Sequence, residues 1–163
     1  MPPKLNSMRL LDQRKVPYQV LEYPDDIRDA EQVAQALALP PSMVYKTLVV
    51  QAATTPAPKK PYLVIIPSNC QLSLKKMAGA AGVKKVRMAS FADAERLTGL
   101  KVGGISALAL VQKQWAVYVD HRAESLQEIV MSAGQRGLQI RAPVAALMAV
   151  LRAQIVDVAD PSA

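Results

Sequence analysis

Val44-Tyr45-Lys46-Thr47-Leu48-Val49-Val50 reads as a β-strand, and the lysine inside it decides how the rest of the chain is read. β-Branched and aromatic residues suit a strand, and side chains alternate between faces along it. Lys46 therefore shares a face with Val44, Leu48 and Val50, all apolar. An ammonium among aliphatic neighbours either snorkels to water or meets a group that offsets its charge, because burying it unpaired is costly. The second option calls for a pocket that takes an anionic or carbonyl-bearing ligand.

Outward from this strand, elements alternate at short spacing. Leu5, Met8 and Leu11 mark one face of a first helix that ends by Pro17, and Tyr18 to Tyr23 reads as a strand. Asp29 caps a second helix with Ala30, Val33, Ala34 and Leu37 on its buried face, and Pro40-Pro41 ends it. The polar, proline-rich run from Ala52 to Pro61 is too short to separate domains and joins the Lys46 strand to a neighbour, Tyr62 to Ile66. Cys70-Gln71-Leu72 leads into a helix start, and Leu74, Met77, Ala78 and Ala81 have helical spacing, with Gly82 as the stop. Val83 to Met88 reads as a strand, Ser90 caps a helix through Leu97, and Ala116 to Asp120 is another strand. Glu128 to Met131 and Leu138 to Arg141 flank a glycine turn as two strands. Pro143 opens a last helix with Val144, Leu147, Met148 and Leu151 inward, and Ile155 to Val158 closes the chain as a strand. The mixture lacks strict βαβ alternation. It predicts an α/β (α+β) fold with a mixed, mostly antiparallel sheet and flanking helices, in one domain over residues 1–163.

Composition narrows the function. At 163 residues and 51% hydrophobic, the chain buries a core without staples. Its single cysteine, Cys70, forms no intrachain disulfide and fits a reducing compartment. Nothing ties Cys70 to the only histidine, His121, so Cys70 reads as structural and Cys/His zinc sites are excluded. No apolar run approaches a membrane span and the N-terminus has no signal-peptide core, so the cytoplasm is expected. A net charge of +7 points to a polyanion partner. The densest basic cluster is Lys75-Lys76 with Lys84, Lys85 and Arg87, and no zinc finger, helix-turn-helix or RNA-recognition aromatic motif accompanies it.

Five of the seven glycines fall in two segments, Thr98-Gly99-Leu100-Lys101-Val102-Gly103-Gly104-Ile105-Ser106 and Ser132-Ala133-Gly134-Gln135-Arg136-Gly137. Neither is a P-loop or a dinucleotide fingerprint. Each alone is a tight turn. Together with an in-strand lysine they suggest one site in which close backbone approach holds a phosphate or a carbonyl oxygen.

The Lys46 strand, the run Thr98 through Ser106 and the turn Ser132 through Leu138 resemble, in order and spacing, those of the YbaK family, as do Leu72-Ser73-Leu74-Lys75-Lys76 and Lys84-Lys85-Val86. The likeness runs from Leu5 to about Ala159. It implies the fold of the editing domain inserted in bacterial prolyl-tRNA synthetases and the activity of an aminoacyl-tRNA deacylase. Such an enzyme proofreads in trans by removing cysteine, or in sister subgroups alanine or another small residue, from mischarged tRNA. The chemistry so implied needs no protein nucleophile: the cysteine sulfur of the substrate attacks its own carbonyl.

By the same resemblance Lys46 orients the ester, and Gly103, Gly104, Ile105 and Ser106 line the ribose and aminoacyl pocket. Ser132 and Gly134 close the other wall, with Tyr23 beside the substrate; Thr47 and Asp120 are weaker candidates, and Asp120 reads better as the end of its strand. Lys75, Lys76, Lys84 and Lys85 become candidates for tRNA backbone contact. The implied partners are the aminoacylated 3′ end of tRNA and prolyl-tRNA synthetase, with no cofactor, metal or membrane. The chain departs from the family at three places. Ala107-Leu108-Ala109 replaces Pro-Leu-Gly, which implies a looser loop. Gln139 stands where an acid is common, so a carboxylate role there is lost or moved. The segment after Tyr23 is shorter and lacks an aromatic residue. These changes bear on amino-acid selectivity, or on whether the chain binds tRNA without chemistry.

Overall fold

A computed structural model describes residues 3–56 and 58–162; Ala57, inside the proline-rich loop, and the terminal residues expected to carry no leader lie outside it. The elements run α1 (Asn6–Gln13), β1 (Gln19–Glu22), α2 (Ala30–Ala36), β2 (Tyr45–Ala52), β3 (Tyr62–Pro67), β4 (Cys70–Leu72), α3 (Leu74–Ala81), β5 (Val86–Met88) and α4 (Phe91–Thr98). A 3-10 turn (Ala107–Lys113), β6 (Val117–Asp120), a second 3-10 turn (His121–Ser125), β7 (Glu128–Ser132), β8 (Leu138–Pro143), α5 (Val144–Leu151), β9 (Gln154–Val156) and β10 (Ala159–Pro161) follow.

β2 lies between β5 and β3 in a five-stranded sheet of order β5-β2-β3-β6-β9, and β1, β8 and β7 form a second, three-stranded sheet. The pairs β3–β6 and β6–β9 are parallel, and the others are antiparallel. A parallel bridge from Val44 to Val130 joins the two sheets. Alternation along β2 then sorts its side chains. Tyr45 and Val49 enter the main core with Leu63, Ile65, Val119, Met131 and Ile140, while Val50 packs under α3 with Val64, Ile66 and Met77. Val44 and Val130 share a small third cluster with Ala34 of α2.

Where signals were local, the sequence reading holds. Asp29, Ser73 and Ser90 cap α2, α3 and α4 by accepting the backbone N–H of Gln32, Lys76 and Asp93. Gly82 ends α3 in the left-handed conformation. Removing the Ser90 hydroxyl leaves an N–H of α4 without its acceptor, so Ser90→Ala is expected to cost about 1 kcal/mol. Thermal melting checks this as a Tm lower by about 2–4 °C. Elsewhere the structure differs. Cys70–Leu72 is not a helix start: it is β4, held by β10, and α3 begins only after Ser73. The strand expected from Val83 begins at Val86, and of Ile155 to Val158 only Ile155 and Val156 are strand, the end of β9, while Asp157 and the buried Val158 link β9 to β10. The helix before Pro40 stops at Ala36.

Candidate functional site

The outer edge of β2 is paired at both ends and open in the middle. Val130 N–H donates to Met43 O at 3.0 Å at one end, and Ala89 N–H donates to Val49 O at 3.0 Å at the other. β5 reaches only Val50 to Ala52, so Tyr45 to Leu48 have no strand partner on that side. A strand edge left open inside a fold is normally covered or used. Here it forms the floor of a cleft of about 640 Å³ lined by Lys46, Thr47, Gly103, Ile105, Ser132 and Gln139, among others. That volume is in the range of small-ligand sites.

The Val44–Val130 bridge sets the register of the site. Two residues further along each strand stand Lys46 and Ser132, on the same face by the two-residue period. Ser132 in turn lies opposite Gln139 in the β7–β8 ladder. Lys46 is half-buried. Its Nζ makes one long hydrogen bond, 3.4 Å to Ser68 O, and among the described residues no carboxylate pairs with it. An ammonium has three donors, so the amine has capacity for a ligand. Gln139 is 5% exposed, and its Oε1 is buried without a hydrogen-bond partner. Thr47 faces the other side of β2 and reaches the cleft at the open edge; its Oγ1 is also buried without a partner. Unsatisfied buried oxygens are rare in folded proteins and costly. Three residues that line this cleft, Tyr45, Thr47 and Gln139, carry such an oxygen, and the Gln139 amide oxygen, which can only accept, fits a ligand that donates a hydrogen bond.

The two glycine segments pack against each other. A Cβ on Gly104 would lie 2.8 Å from Arg136 N and 3.0 Å from Gln135 C, so only glycine lets the backbones approach this closely. Val102 is held from both sides: its N–H donates to Glu95 Oε2 at 2.8 Å, and its C=O accepts Arg136 Nε at 2.7 Å. The wall next to the Lys46 edge is therefore pinned. The looser loop expected after Ser106 is instead a 3-10 turn that Ser106 caps by accepting Leu108 N–H. The N–H groups of Gly103 and Ile105 make no hydrogen bond among the described residues.

The residues singled out from sequence divide into two groups. Lys46, Thr47, Gly103, Ile105 and Ser132 line one cleft. Gly104 and Gly134 sit at an adjoining hollow of about 470 Å³. The Gly104 N–H is engaged by Lys101 O and the Gly134 N–H by Ser132 Oγ. Ser106 is fully buried as a cap. Tyr23 is not among the cleft-lining residues; it is buried, and its N–H holds Gly137 O. Asp120 ends β6 fully buried, with Oδ1 accepting Val158 and Ala159 N–H and Oδ2 accepting Arg122, which is the structural reading of that residue. Of the four lysines, Lys76 is tied to Asp157 and Asp160, while Lys75, Lys84 and Lys85 are exposed. Burial pushes the Cys70 thiol up from its ordinary range, away from nucleophilic use.

Sequence reasoning missed several wall residues: Arg28, Asp29 and Val33 from the α2 region, Met88, Phe91 and Arg136. Gln139 had stood out only as a departure from the family acid. Phe91 had a misleading signal. Its spacing from Ala94 and Thr98 matches their buried face, yet it is 75% exposed, because the first turn of α4 overhangs the cleft instead of the core.

Residues 24–150 match the aminoacyl-tRNA editing domain family. A protein of Enterococcus faecalis named as a candidate Cys-tRNA(Pro)/Cys-tRNA(Cys) deacylase, EbsC, is 36% identical over 157 residues, covering 95% of this chain and 93% of that one. Among solved structures, a hypothetical protein superposes with a TM-score of 0.84 at 24% identity over 95% of this chain and 99% of its own. A candidate trans-editing enzyme for prolyl-tRNA synthetase does so with a TM-score of 0.79 at 24% identity over 98% and 99%. At that identity the two structures speak to the fold.

Proposed function

This chain belongs to the aminoacyl-tRNA editing domain family, and from that premise we propose that it is a trans-editing deacylase that removes cysteine from Cys-tRNA(Pro). The observation that carries the reading is the cleft itself: an unpaired amine on β2 and free backbone amides of a pinned glycine loop line one cavity. The scissile ester joins the amino acid to the terminal ribose of the tRNA. As its carbonyl is attacked, charge builds on oxygen, and preorganised donors stabilise it. The Lys46 ammonium and the Gly103 and Ile105 N–H groups supply such donors. The Ser132 hydroxyl and the unsatisfied Gln139 Oε1 receive the α-ammonium of the amino acid.

The nucleophile is the substrate's own thiol. Its sulfur forms a bond to the carbonyl carbon, closing a four-membered thiolactone, while the ester C–O bond breaks. The thiol proton passes to the departing ribose oxygen, and the tRNA leaves with a free hydroxyl. No protein nucleophile is required, which accords with a buried Cys70 and with His121 set beside Asp157. Arg28 and Arg136 on the cleft and the exposed Lys84 and Lys85 face the phosphates of the acceptor end. The site of action is the cytoplasm, with prolyl-tRNA synthetase as the partner that confers tRNA choice. No helix among the described residues is long and apolar enough to cross a membrane.

The test is an aminoacyl panel: labelled Cys-tRNA(Pro), Ala-tRNA(Pro) and a Ser-tRNA(Pro) analogue, each incubated with the full chain. Release of cysteine and not of serine is expected, since a hydroxyl does not replace the thiol as nucleophile. Equal release of cysteine and serine would contradict the thiol-assisted route. Release of alanine alone would move the enzyme to a sister specificity, and no release from any substrate would leave a tRNA-binding module.

A further inference from the structure

Phe91 is the only phenylalanine of the chain, and among the described residues it is the most exposed large apolar side chain, at 75%. It lines the mouth of the Lys46 cleft together with Met88, which is 42% exposed. A chain with so few aromatic residues leaves one uncovered at this cleft. Both residues hang on well-fixed supports. Met88 is the last residue of β5, opposite Val50, and Phe91 follows the Ser90 cap in the first turn of α4.

Neighbouring charge favours a polyanion. Lys84, Lys85 and Arg87 precede Met88 and are exposed. The acids of α4 are engaged elsewhere, Asp93 with Arg96 and Glu95 with Val102 N–H. Val50, opposite Met88 in the β2–β5 ladder, is four residues along β2 from Lys46, about 13 Å at ~3.3 Å per residue. A nucleotide whose ester lies at Lys46 brings an unpaired base of the same strand to this rim.

We propose that Phe91, with Met88 beside it, is a stacking platform for an unpaired nucleobase at the 3′ end of the tRNA. The proposal rests on the editing reading and adds a base subsite to it. Single-stranded nucleic acid is commonly held this way, because every base offers a π-face to an aromatic side chain.

The test measures Kd of the full chain for uncharged tRNA(Pro), either intact or trimmed of its unpaired 3′ nucleotides, for wild type, Phe91→Ala and Phe91→Trp. Phe91→Ala is expected to weaken binding of the intact tRNA by roughly 5- to 150-fold, the range that loss of one stacking aromatic spans. Phe91→Trp should stay near wild type, and the trimmed tRNA should bind wild type and Phe91→Ala alike. Unchanged affinity of Phe91→Ala for intact tRNA would overturn the proposal. An equal loss on the trimmed tRNA, or a change of oligomeric state in place of affinity, would do so too. Binding needs no chemistry, so a wild type that binds tRNA but deacylates nothing counts against the editing reading alone.

Discussion

Lys46→Ala is expected to lower deacylation of Cys-tRNA(Pro) about 100- to 1000-fold, the loss typical of deleting one preorganised charge-stabilising donor. The effect should fall on kcat, because the amine matters most when negative charge has built on the carbonyl oxygen. Stability should barely change. The half-buried Nζ makes only a 3.4 Å contact with Ser68 O, and Val44, Leu48 and Val50 on the same face keep their packing. The check is single-turnover release of labelled cysteine alongside a thermal melt. A variant with normal Tm and normal turnover would remove Lys46 from the mechanism.

Gly104→Ala is expected to separate the two loops that form the far wall. The added methyl would meet backbone atoms at 2.8 and 3.0 Å, and backbone cannot rotate aside as a side-chain tip can. Overpacking of this kind costs about 1–3 kcal/mol, read as a Tm lower by about 2–12 °C. The rate should fall about 100-fold, since a shift of ~1 Å in a positioned group has that effect. Gly79→Ala is the matched control. Gly79 lies exposed in α3 with nothing within 4 Å of an added Cβ, and alanine there should stabilise by up to about 1 kcal/mol. If Gly104→Ala behaved like Gly79→Ala, the two loops would not meet as described.

The parts of this molecule that were legible in its sequence are those governed by neighbours in the chain. The Lys46 strand, the Asp29 and Ser90 caps, the Gly82 stop and the β7–β8 pair around a glycine turn each rest on a few adjacent residues. That the glycine segments form one site with Lys46 was suggested by their clustering, the resemblance assigned their roles, and the packing of Gly104 on Arg136 shows how the two segments meet. What stayed hidden depends on partners far away in the chain. Cys70–Leu72 is a strand only because β10, at the other end of the sequence, lies beside it. Ser106, set on the pocket wall by the resemblance, is buried and caps the 3-10 turn that follows it. Gln139 gives no local signal of a cleft wall; that follows from its place opposite Ser132.

The central claim, that the aminoacyl ester lies between the β2 edge and the glycine loops, is tested most directly by a crystal structure of the full chain with an adenosine that carries cysteine through a 3′-amide, an uncleavable copy of the charged end. The account predicts the cysteinyl carbonyl oxygen within about 3.2 Å of Lys46 Nζ, with the Gly103 or Ile105 N–H on the same oxygen and the α-ammonium at Ser132 and Gln139. An analogue bound outside this cleft, with the Lys46 amine still held at Ser68 O, would contradict it.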